Sequence, residues 1–177
     1  MSKKSSVTGY RTALCGILTA LAVTVMLIAP LFPIMIYCCC LISGVCVALA
    51  AEEFGAKYGA FVYIAASVLC ALLAADKDAA ASFILLIGVY PVVKKLASKL
   101  SRAACAVVKL MFVNAASVLY YFAAVKLIGV PADSFGKFPV LMLIPANAVM
   151  IMYDLSLNSL IVLYNKKLRK KIMKGKL

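Results

Sequence analysis

The chain has 177 residues, 66% of them apolar and 14% charged, with a net charge of +13. Soluble domains are roughly half apolar, so this composition excludes an ordinary soluble fold and predicts an integral membrane protein of one domain, residues 1–177. The basic residues sit in short blocks beside apolar runs, as membrane topology signals do, and no nucleic-acid partner is expected.

Six apolar runs approach the length a helix needs to cross a bilayer: 12–29, 34–51, 58–75, 79–93, 103–124 and 140–163. They predict an all-α six-helix transmembrane bundle. The first run, within RTALCGILTALAVTVMLIAP, is longer than a signal-peptide core and leads straight into further runs, so it reads as a span and not a cleaved leader. Gly16, Ala20 and Thr24 recur every four residues on one face, with Ala13 beside them. Lipid offers no hydrophobic drive for helices to associate, and such small residues permit close backbone approach. That face meets either another helix of the bundle or another protein.

Pro30 and Pro33 separate the first two runs. Cys38, Cys39 and Cys40 are consecutive in the second and point about 100° apart on a helix, so they cannot share a metal-binding face. Nor do Cys15, Cys46, Cys70 and Cys105 show the spacing of a zinc site; all seven cysteines read as small apolar packing residues. Cys40, Gly44 and Ala48 form a second small-residue stripe, expected to pack internally. At the end of the run Glu53 precedes Lys57 by four residues, which suits an ion pair on a helix surface.

Gly55 opens the third run, and the turn Asp76–Lys77–Asp78 separates it from the fourth, at about 15 residues short for a full crossing. In the fifth, Asn114, Ser117 and Tyr121 share a face. Lys109 lies about 140° around from Asn114 and is expected to snorkel toward headgroups. Gly129, Pro131 and Pro139 mark the connection to the sixth run, where Pro145 predicts a kink near the outer end. There Asn147, Asp154 and Asn158 fall within about 40° of one another and form one polar stripe, expected to face that of the fifth run.

If the N-terminus is cytoplasmic, fifteen Lys and Arg lie on inner segments and three (Lys77, Lys126, Lys137) on outer ones, with Lys109 inside a span. The positive-inside rule then predicts both termini in the cytoplasm, with the basic tail 164–177 lying on anionic lipid. On that topology Asp154 is about 21 Å below the outer surface, too deep for an outward-opening site. It is expected to be a structural intramembrane group, like Asn158, neutralised by protonation or by hydrogen bonds from nearby spans. Asn147 is about 10 Å down. With Asn114, Ser117 and Tyr121 it is expected to orient a small-molecule ligand in an outer pocket, the alternative being that these groups only bond helices together. Without histidine or paired carboxylates, no catalytic residue, metal ligand or cofactor is expected, and the chain does not read as an enzyme.

A six-span chain whose first helix opens with a basic residue and the run ALCGILTALAV resembles the S components, the substrate-binding subunits of energy-coupling-factor (ECF) transporters. The resemblance implies a vitamin-like micronutrient bound from the outer side of a prokaryotic inner membrane. It also implies that Ala13, Gly16 and Ala20 dock on a transmembrane coupling subunit driven by two ATPases in trans. Gly16 and Ile17 stand where that family often has alanine. No Walker sequence is present, as the resemblance implies if ATP is hydrolysed by partners. The alternative is a small membrane scaffold or assembly protein, like cell-shape proteins, with no solute ligand.

Overall fold

In hydrocarbon every backbone N–H and C=O must be bonded within the protein, which for an open chain means helix. In the computed structural model, which describes residues 2–31, 35–98, 101–129, 143–164 and 166, helices dominate and no described residue is in a strand. Six helices are long and apolar enough to cross a membrane: Gly9–Leu31, Ile36–Phe54, Ala56–Leu73, Lys77–Ala97, Ala104–Lys126 and Leu143–Leu163. The chain is a multi-pass membrane protein.

The first three spans form one packed group. Ser43 donates a hydrogen bond to the Ala22 carbonyl at 3.0 Å, tying the second span to the first. The second ends at Gly55, whose φ of 97° lies in the left-handed region that side chains resist, and the third begins at once. The returning helix comes so close that a Cβ on Gly59 would lie 2.6 Å from that of Ala51. This turn overturns the expected Glu53–Lys57 pair: the two residues lie on different helices, so the four-residue spacing no longer stacks them. Glu53 instead accepts a hydrogen bond from Tyr164 at 3.2 Å, and Glu52 pairs with Lys95 at 2.6 Å.

The fourth span runs 21 residues, longer than the predicted fifteen or so. Its start is capped by Asp76, whose carboxylate accepts from the N–H groups of Asp78 and Ala79 at 2.9 and 3.2 Å. A π turn occupies Phe83–Ile87, and helix resumes over Tyr90–Ala97 with Pro91 in its first turn. At the turn Gly88 N–H donates to Phe83 O and leaves Ile84 O to the Tyr63 hydroxyl, at 2.7 Å each. The bulge therefore costs no orphan carbonyl at Ile84.

The second and fourth spans are central, with 44% of their residues buried; the fifth and sixth are peripheral, at 11% and 17%. The exposed side chains of the last two, such as Met111, Leu119, Met152 and Leu155, are apolar and suit a lipid-facing surface. Leu143, where the described part of the sixth helix begins, is two residues before Pro145, so no described turn precedes the proline for it to kink.

One end of the bundle gathers Arg11, which lies over the rings of Phe54 and Tyr58 at 5.9 and 6.0 Å, the Glu52–Lys95 pair and the Glu53–Tyr164 contact. The opposite end holds Lys77, Asp78 and Tyr120, with Tyr120 donating to Asp78 at 2.6 Å. Pro33, Lys99, the connection with Pro131, Lys137 and Pro139, the run's start at Val140, and the tail from Lys167 on lie outside the described residues, as do the side chains of Lys3, Lys4 and Arg102.

Candidate functional site

The polar stripes of the fifth and sixth spans do meet. Asn147 Nδ2 donates to Asn114 Oδ1 at 2.9 Å and to the Leu143 carbonyl at 2.7 Å, while Asn114 Nδ2 donates to the Leu110 carbonyl at 2.9 Å. This amide pair joins two helices that share little apolar packing. Of the other two residues expected at a ligand site, Ser117 has a buried hydroxyl with no hydrogen-bond partner among the described residues, and Tyr121 stacks edge-on to Phe122. Neither lines the cavity described next.

Nearer the Arg11 end lies an ion cluster that the sequence does not announce. Asp154 of the sixth span meets Lys94 of the fourth at 2.8 Å through Oδ1 and Lys109 of the fifth at 2.9 Å through Oδ2. Lys94 also donates to the Asp154 backbone carbonyl at 3.1 Å. The expected structural role of Asp154 stands, but its charge is balanced by two ammonium groups instead of by protonation. The expected snorkelling of Lys109 is corrected. Its direction was judged at the backbone, and the flexible four-carbon stem carries the ammonium round the helix to the neighbour that Asn114 also faces. Lys94 had been counted among loop charges; the longer fourth span places it inside the helix.

Between the fourth, fifth and sixth spans, beside this cluster, is a cavity of about 340 Å³. Tyr90, Lys109 and Asp154 form its polar end, and Asn147 is the polar group farther along the sixth span; Val113, Met150 and Ile151 are among its apolar walls. Of the four residues expected to bind a ligand, only Asn147 lines it. A second cavity, of about 190 Å³, lies on the other side of Lys94 and is lined by Glu52, Lys95, Ser98 and Asn158. Asn158 therefore borders a polar hollow shared with the second and fourth spans.

The two small-residue stripes part company. Cys40, Gly44 and Ala48 are buried, as expected, and a Cβ on Gly44 would run into the Tyr153 hydroxyl and lie 2.8 Å from Ile87 Cγ2. Ala13, Gly16, Ala20 and Thr24 all face outward, and a Cβ on Gly16 would meet nothing within 4 Å. The buried face of the first helix is a different one, formed by Ala22, Val23 and Met26.

Tyr120, missed in favour of Tyr121, bonds Asp78 of the acidic turn. The signal was faint, since Tyr120 belongs to the face of the fifth span that carries buried Val113 and Ala116 toward the fourth span, not to the stripe of Asn114. Among the described residues no three His, Cys, Asp or Glu gather closely enough to hold a metal ion. No family model matches the sequence, and neither a curated protein nor a solved structure matches the chain.

Proposed function

We propose that this chain is the substrate-capturing subunit of an ECF-type importer. In this reading it takes a small vitamin-like solute from the outer side of a prokaryotic inner membrane and passes it on through a coupling subunit powered by ATPases in trans. The outward-facing stripe Ala13–Gly16–Ala20 carries the proposal. A helix lying against lipid gains nothing from a groove of small residues, whereas a partner helix gains close backbone contact from it. The topology adds support. The basic-rich connections gather at the Arg11 end, so the positive-inside rule puts that end and both termini in the cytoplasm.

Replacing Gly16 and Ala20 with leucine fills the groove without touching the bundle. The double variant is expected to fold normally and to lose assembly with coupling subunit and ATPases in co-purification. Unchanged complex yield rejects the docking role. The Asn114–Asn147 pair favours a second reading, because amides that bond each other are helix glue as much as ligand contacts. A scaffold of this kind would use the same stripe for a structural partner, and it would bind no solute in a thermal-shift screen.

A further inference from the structure

We propose that the 340 Å³ cavity between the fourth, fifth and sixth spans binds a small organic monoanion, whose carboxylate balances the positive charge left over where Lys94 and Lys109 share Asp154. The proposal names the ligand class for the solute-binding reading above and rests on it. Two ammonium groups against one carboxylate leave one charge uncompensated, and the side chains concerned are only 14–21% exposed. An uncompensated charge at this position in a membrane is expensive, and a bound anion offsets it.

No other described carboxylate is placed to do so. Glu52 is paired with Lys95, Glu53 accepts from Tyr164, Asp76 caps the fourth span and Asp78 accepts from Tyr120 at the opposite end. Lys109 lines the cavity directly, and the walls beyond it are apolar. At the other polar group, Asn147, the buried Oδ1 has no donor beyond those it shares in the amide pair. The complementary ligand has a carboxylate, a compact apolar body and a hydrogen-bond donor at its far end. A cavity of this volume is at the small end of ligand sites.

The cavity is bordered by Leu110, Ile151 and Leu155, all exposed, so an anionic lipid headgroup is the competing source of the same charge. The test uses the full chain in phosphatidylcholine nanodiscs, with unfolding followed by a thiol-reactive dye that reports exposure of buried Cys40, Cys46 and Cys70. Benzoate, 4-hydroxybenzoate and hexanoate are compared with their neutral amides. At about five times its dissociation constant, a binding acid is expected to raise the midpoint by about 2–4 °C while its amide does not. Lys109→Met, which leaves Asp154 paired with Lys94 alone, is expected to lose the shift. Lys109→Arg keeps it, and Asp154→Asn, with two unbalanced lysines, keeps or enlarges it.

A panel in which no acid outperforms its amide overturns the proposal, as does a Lys109→Met protein that responds like the wild type. If phosphatidylglycerol in the nanodisc abolishes the acid's shift, the headgroup is the occupant and the solute site is rejected. Complex formation is read separately. A lost acid response with normal assembly overturns the anion site alone; a normal response without assembly overturns the importer reading alone.

Discussion

At the scale of single residues, glycine shows how differently one side chain is used in two stripes that look alike in sequence. Gly44 lets the Tyr153 hydroxyl and Ile87 occupy the space a methyl group would take, whereas Gly16 faces open space. Gly44→Ala is expected to lower the unfolding midpoint by several degrees, since forcing an added methyl into a packed core costs about 1–3 kcal/mol. Gly16→Ala should leave the midpoint at or above the wild-type value, because alanine is the better helix former. The dye assay on buried thiols checks both. Lys109 is the residue at which reasoning from helical angle alone failed. An angle between Cα positions decides which short side chains share a neighbour, and Asn114 and Asn147 were correctly matched on it. It does not decide where a lysine ammonium ends.

Among the elements, the fourth span was the hardest to read because charges mark both of its ends. Lys77 and Asp78 are already helical at its start, and Lys94 and Lys95 remain helical near its finish. Hydropathy stops at such residues, yet their partners, Tyr120, Asp154 and Glu52, lie on other helices and cannot be seen from local sequence. The π turn was equally hidden. It makes a register claim that can be tested: deleting Leu85 restores an ordinary helical ladder and rotates everything after it by about 100° relative to what comes before. Both Lys94 and Lys95 then lose their carboxylates. The deletion is expected to lower the midpoint more than Lys94→Met does alone, and an equal effect would show that the turn does not set the register.

For the whole molecule, the number and order of spans were legible because bilayer thickness acts on every run alike. The placement of the ion cluster was not, since it depends on which helices are neighbours. Sidedness is open to a direct measurement. In a variant lacking the seven native cysteines, an impermeant maleimide added to intact cells is expected to label Lys77→Cys and to spare Ser98→Cys until the membrane is permeabilised. Both positions are exposed and lie at opposite ends of the fourth span. The reverse pattern would invert the topology and put the basic-rich end outside.

The ion cluster also has a consequence for biogenesis. Contacts among the first three helices are complete once the ribosome has passed Leu73, so that part can set early. Lys109, however, reaches the bilayer 45 residues before Asp154 has been translated. Until its counter-ion arrives, this nascent chain holds an unmatched lysine at the translocon, and the final helix is what lets it settle.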